Sequence, residues 1–529
     1  GKPEAPDAPD APDAPDNPEH PEVPEAPEAP EAPEAPDTRN NPNHHHPMPT
    51  YRHILRGTAI FGGTQVVTLL ASLVRGKFVA ILLGAHGMGI SSLLTSALSP
   101  VIQFFSLGMP TAAVSHIAAA EDDMRERARR IVAFRRSMTL LAIMAAIYIL
   151  AISPLMTSVT FSSRHIDGHD ALLWVITLAP AAIFTMLATT ENTILQSQHA
   201  LHRLALCNIT GPLAGILLGV PIYWIWGVAG IAPGIAILAF VTWAVARYHT
   251  ARLGINANPS WRETWTAARG MAYLGVAMMV AGMMGQLAVY ITNTYISNYG
   301  STTDVGLYQA ATSITTQCTS MVFVALATDY YPHLAEKIKS RMETMRLIAK
   351  EGEIAMLITA PLAAMLIILA PVVVRVLLTE EFLTVIPLIQ TTALAFVLRA
   401  FYFPLDYLCL AKNDKLFFFL YEGIWTNVQN VGINIMAYHL YGLRGLTYGI
   451  IVNGIINVVA ALAVARYRYN VSYTRRIMML SIAITAATAM IVAALQWDTG
   501  TTIRYAIAIT TATAMTLFSA VMIWRRRKI

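Results

Sequence analysis

Residues 226–234, WGVAGIAPG, return 215 positions later as YGLRGLTYG at 441–449, and both keep the spacing Gly-x-x-Gly-x-x-x-Gly. Each is a short turn between two apolar runs of about 20 residues, long enough to cross a hydrocarbon core as a helix. Six apolar runs separate the two turns. An even number preserves direction, so the chain is expected to be a duplication of two parallel halves, related by an axis along the membrane normal. Weaker echoes agree: GMGI at 87–90 is answered by DVGL at 304–307, and Glu191 by Asp406 at the same 215 offset.

The 529 residues are 55% hydrophobic and 13% charged, with a mean hydropathy of +0.50, too apolar for a soluble globular protein of this length. Periodic apolar runs predict an all-α integral membrane protein of about 14 transmembrane helices. The expected spans are 54–84, 88–118, 137–161, 171–195, 204–226, 228–247, 271–296, 305–331, 352–379, 384–411, 416–440, 444–465, 477–495 and 504–524. They form two six-helix lobes, 51–254 and 255–470, with two further helices and a basic end in 471–529. Residues 1–50 are different: proline falls at every third position among Ala, Asp and Glu, which suits neither a helix nor a core and predicts an extended, solvated acidic arm.

Charge sets the orientation. Residues 51–529 hold 35 Lys and Arg against 20 acids, and 26 of those bases fall in alternate loops such as EDDMRERARRIVAFRR and EKIKSRMETMRLIAK and in the terminal RRRK. The opposite loops hold three, Arg164, Arg444 and Arg504. By the positive-inside rule the basic side is cytoplasmic and both termini lie there; the arginine runs are topology signals, with no nucleic acid as partner.

Several charges fall within the spans. Arg75 and Lys77 interrupt ASLVRGKFVAILLGAHGMG (71–89), and Arg399 sits near the middle of its span with Asp406 two turns further on the same face. Each costs about 2.5 to 3.5 kcal/mol at the bilayer centre, so such residues default to function. Glu191 and Glu422 add acids toward the cytoplasmic side. Polar stripes run along 91–106 (Ser91, Ser92, Thr95, Ser96, Ser99, Gln103, Ser106) and 427–434 (Asn427, Gln429, Asn430, Asn434). Either these groups pair between helices as buried structure, or they line a wet cavity between the lobes. In the second case Arg75, Lys77, Arg399, Gln103, Asn427 and Asn430 are candidate substrate-binding residues, since guanidinium forks match phosphate. Glu191, Asp406 and Glu422 are candidates for coupling and gating. No catalytic set or metal-ligand spacing is present, no cofactor is expected, and Cys207, Cys318 and Cys409 read as small core residues. The longest loop on the less basic side, SSRHIDGHD, has about nine residues, too few for the extramembrane domain of a membrane glycosyltransferase.

The stretch FGGTQVVTLLASLVRGKFVAILLGAHGMGISSLLTSALSPVIQFFSLGMPTAAVSHIAAA, with DVGLYQAATSITTQ, ATDYYPHLAEK and LRAFYFPLDYLCLAKNDK, resembles the polysaccharide transporter family. These are the Wzx-type O-antigen and oligosaccharide flippases of the MATE-like MOP superfamily. The resemblance implies alternating access by two six-helix lobes. It implies transfer of an undecaprenyl-diphosphate-linked oligosaccharide across the bacterial inner membrane, with other polysaccharide-assembly proteins as candidate partners and a proton or sodium gradient as candidate drive. The first-helix arginine of the related lipid II flippases maps onto Arg75. Gly76 stands where those relatives carry an acid, and SSLLTSALSPVIQFF has no counterpart of their second-helix arginine, which argues against peptidoglycan precursor as cargo. A MATE-like cation or drug antiporter is the alternative.

Overall fold

The computed structural model describes Gly1 and residues 51–120, 123–161, 168–497 and 500–527. The proline-rich arm after Gly1 and Arg164 lie outside the described residues. Those residues are helical, without strands: α1 (Tyr51–Ser106), α2 (Met109–Ala118), α3 (Met124–Thr160), α4 (Gly168–Ser197), α5 (Leu201–Trp226), α6 (Ile231–Ala251), α7 (Trp261–Tyr299), α8 (Thr302–Lys337), α9 (Arg341–Leu377), α10 (Ile386–Ala411), the single turn α11 (Lys415–Phe418), α12 (Thr426–Tyr467), α13 (Arg475–Gln496) and α14 (Thr501–Arg527). Residues 55–529 form one compact unit.

Local chemistry sets several helix starts. Asp123 caps α3 by accepting from the backbone N–H groups of Arg125 and Glu126 at 2.9 and 3.1 Å, and Ser260 with Glu263 forms a reciprocal capping box on α7. Pro180, Pro212, Pro361 and Pro404 lie inside helices. Pro110 does not. The chain breaks at Leu107 and Gly108, both at positive φ, and Pro110 opens α2, where its missing N–H costs nothing.

Three glycines turn the chain sharply: Gly84 (φ 64, ψ −168), Gly227 (φ 55, ψ −131) and Gly442 (φ 58, ψ −143). That region of backbone space belongs to glycine almost alone. At two of them the helix folds back on itself. Past Gly227, Gly234 lies against Tyr223, and past Gly442 Asn453 returns beside Gln429. By length and apolarity ten helices among the described residues can span a membrane, or eleven with α7, which is bent by 56° between Val276 and Met278; this count leaves the three glycine-broken runs undivided. The exact number fourteen is therefore not what length and hydropathy return.

Packing segregates the helices. α3, α4, α5 and α6 contact one another, as do α8, α9, α10, α13 and α14 with α12 on α10; the two groups meet where α2 and α3 pack on α7. Between α1 and α8, and between the α1–α2 break and α7, backbones approach closely. A Cβ on Gly89 would lie 1.8 Å from the Thr302 carbonyl oxygen, and one on Gly275 2.4 Å from that of Leu107. Cys207 and Cys409 are buried, whereas Cys318 is exposed, contrary to its reading as a core residue.

Candidate functional site

Two adjoining cavities open within the second group of helices. The first, of about 480 Å³, lies between α7, α8 and α12. Its polar wall is made of hydroxyls and amides alone, including Thr292, Asn293, Gln309, Thr312, Gln317 and Asn427, with no charged residue. Asn293 is 1% exposed, and neither its amide nitrogen nor its oxygen has a partner among the described residues. The same holds for Gln317 Oε1 and Asn434 Oδ1. Buried polar atoms without partners are costly, about 1 to 3 kcal/mol each, so a polar guest is their natural complement.

Tyr308, Thr312, Thr316, Asn430 and Asn434 are shared with the second cavity, of about 400 Å³, which is charged. Arg399, Asp406 and Glu422 line it together with Tyr402 and Tyr421. Arg399 is exposed to this space. Its guanidinium lies 4.9 Å from the centre of the Phe323 ring, and no carboxylate among the described residues comes within ion-pair distance. The aromatic face orients the cation and leaves its donors free.

Glu422 reaches this wall through an irregular helix. Residues Phe419–Trp425 form a π-helix, and the carbonyls displaced by it are taken up locally: Asn427 donates from Nδ2 to the carbonyls of Glu422 (3.2 Å) and Gly423 (2.8 Å), and Thr426 donates to Tyr421 (3.0 Å). Such bulges recur at functional sites because they re-aim a side chain. Across the Gly442 turn, an amide ladder holds the two arms of α12. Gln429 donates to Asn453 (2.8 Å) and Asn457 (3.2 Å), while Asn453 and Asn434 both donate to Asn430 Oδ1 at 2.9 and 2.7 Å.

The structure thus brings Arg399, Asp406, Glu422, Asn427 and Asn430 around one polar space. The remaining predicted residues lie elsewhere. Lys77 donates from Nζ to the Val376 carbonyl at 2.6 Å, where a cation complements the C-terminus of α9. Arg75, two residues away on α1, is half-buried and lines neither cavity. Gln103 packs on Gly282 of α7, one turn from Gly285 at the rim of the uncharged cavity. Glu191 is 2% exposed and held by Arg135 on α3 through two 2.8 Å hydrogen bonds, with Arg247 of α6 at 3.9 Å. The hydroxyls of the 91–106 stripe mostly bond back to their own helix, as Ser92 to Met88 and Ser99 to Thr95, so they need no cavity. Asn293, Gln317, Asn453 and Asn457 carry the site without having been singled out as site residues in the sequence.

Residues 133–387 match a family model described as polysaccharide biosynthesis protein. No curated protein sequence matches the chain. Among solved structures, the lipid II flippase MurJ in an inward closed conformation is similar with a TM-score of 0.68 at 13% identity, covering 90% of this chain and all of that one. An inward-facing multidrug-resistance MATE transporter of the MOP superfamily follows with a TM-score of 0.63 at 18% identity, over 76% of this chain and 94% of its own. A MOP superfamily transporter from Pyrococcus furiosus, described as having a binding pocket of reversed polarity, gives 0.56 at 18% identity over 79% and 95%. The class is therefore a multi-pass, all-helical membrane protein with the fold shared by MurJ and the MATE transporters. Over 133–387 the chain is similar to the polysaccharide biosynthesis family, in line with the resemblance read from the sequence.

Proposed function

We propose that the protein flips an undecaprenyl-diphosphate-linked oligosaccharide across the bacterial inner membrane by alternating access of two lobes, 51–254 and 255–470. The observation that carries this reading is the pairing of an uncharged amide-and-hydroxyl cavity with a neighbouring one into which Arg399 presents a free guanidinium. Hydroxylated sugars exchange hydrogen bonds with amides such as Asn293 and Gln317 without a charge penalty. A diphosphate calls for a planar, permanently charged fork. Both cavities have volumes typical of ligand sites. The lipid tail stays in the bilayer, and the basic loops with both termini face the cytoplasm.

Asp406 and Glu422 beside Arg399 favour a second reading, a cation or drug antiporter, because two acids on one cavity wall suit an organic cation. Purified protein in liposomes separates the two. Transfer of a fluorescent polyprenyl-diphosphate-linked glycan between leaflets is expected for the wild type, with Arg399→Gln at least tenfold slower at equal protein content. Wild-type rates in Arg399→Gln, or organic-cation efflux in place of glycan transfer, would reject the flippase reading.

A further inference from the structure

A third cavity, of about 580 Å³, lies at the opposite end of the bundle from the arginine-rich loops, beside the Gly442 turn, the end of α13 and the first turn of α14. Its wall includes Arg444, Arg504, Gln390, Gln496, Tyr448 and Tyr505 and, among the described residues, holds no carboxylate. The loops of that face carry three arginines in the whole sequence, and two of them converge here. Arg504 Nε is buried and without a partner among the described residues. Gln390, 4% exposed, already spends its amide N–H on the Ile367 carbonyl and accepts from Gln496, so these neutral groups do not quench the cations. Long helices α10 and α14 also begin at this wall, adding the positive ends of two backbone dipoles.

Two guanidiniums gathered on one wall that has no acid among the described residues point to an anionic guest. Tyr448 is 61% exposed, and Leu383, Ile386 and Leu495 share the wall, so phenols and apolar groups meet at the depth where lipid headgroups join their chains. We infer that this cavity binds the phosphate group of a lipid in the leaflet on that face. Arg444 and Arg504 clamp its oxygens, and the apolar wall receives the adjoining chain. The site is separate from the Arg399 cavity and does not rest on the transport reading. The phosphate belongs either to a resident anionic phospholipid or to the diphosphate of a polyprenyl lipid.

The test is native mass spectrometry of delipidated full-length protein with phosphatidylglycerol or phosphatidylcholine. Preferential phosphatidylglycerol binding is expected, weakened at least tenfold in Arg444→Gln/Arg504→Gln and largely retained in the corresponding double lysine variant, which controls for folding. Arg341→Gln/Arg346→Gln, removing two charges at the basic end, is expected to bind as the wild type does. Geranyl diphosphate displacing the phospholipid would support the site with the diphosphate as its source; failure to displace would support it with a phospholipid. Equal phosphatidylglycerol binding by wild type and Arg444→Gln/Arg504→Gln, with no geranyl diphosphate binding sensitive to these arginines, would overturn the inference.

Discussion

Arg135 donates from Nε and Nη2 to both carboxylate oxygens of Glu191 at 2.8 Å, joining α3 to α4 inside one group of helices. Arg247 completes the cluster from α6. All three residues belong to the same group, so the alternating access proposed above would leave the pair intact, and we propose a structural role for it. Glu191→Gln leaves two guanidiniums facing each other and should cost about 2 to 3 kcal/mol, somewhat less than a fully buried pair because both arginines reach solvent. Its apparent Tm in detergent should fall, and Arg135→Met/Glu191→Met should recover most of the loss. A double variant as unstable as the single one would show that the helices need the charges themselves.

Asp414, in the connection before α11, accepts from Arg468 Nη2 at 2.7 Å and from the Tyr469 hydroxyl at 3.1 Å. The Arg468 hydrogen bond holds its carboxyl below the usual carboxylate range. A depressed pKa contributes stability above the unfolded value of about 3.9 and loses it as pH falls through the folded value. The Tm difference between wild type and Asp414→Asn should therefore be constant from about pH 8 to pH 5 and close below about pH 4. A difference that grows on acidification would assign the latch to another group.

The fold was legible where chemistry is local. Gly227 and Gly442 could be read as turns because that backbone geometry excludes other residues, and the amides of 427–434 stood out because apolar spans do not tolerate them. What the sequence concealed depends on partners far along the chain. Lys77 reads as a cavity cation until Val376, 299 residues away, is found to accept its proton. The 91–106 hydroxyls read as a wet stripe because composition does not reveal that their own backbone satisfies them. Asn293 and Gln317 lie on different helices and become a site only when α7 and α8 close on α12.

Gly442 offers a direct test of the turn. A side chain there must adopt φ 58 and ψ −143, at a cost of about 1 to 3 kcal/mol, although nothing lies within 4 Å of its Cβ position. Gly432, ten residues earlier on a regular stretch of α12, also has open space. Alanine at 442 should destabilise by that amount, and alanine at 432 should stabilise by about 0.5 to 1 kcal/mol. Equal effects in thermal unfolding would mean that crowding, rather than backbone geometry, governs position 442.

On the proposed alternating access, the two close backbone contacts mark where the lobes would part. At one end Gly89 and Gly306 let α1 and α8 touch, since a Cβ on Gly306 would lie 1.9 Å from the Ala85 carbonyl oxygen. Glu381 accepts from the Ala85 N–H at 3.0 Å, and His86 meets the Thr302 hydroxyl, lacing the same end. At the other end Leu107 and Gly108 press on Gly275, beside the bend of α7. The 19 residues from Gly89 to Gly108 span roughly 28 Å of helix, close to a bilayer core, so the two contacts lie near its opposite faces. A methyl group at either contact cannot be absorbed, because the clashing atoms are backbone. Gly306→Ala should therefore bias the protein toward opening at the Gly89 end, and Gly275→Ala toward opening at the Gly108 end. Maleimide labelling of Thr302→Cys should quicken in the first variant alone, and that of Leu107→Cys in the second alone. Labelling that rises at both ends in either variant would show that the contacts are packing faults shared by the whole bundle rather than independent gates.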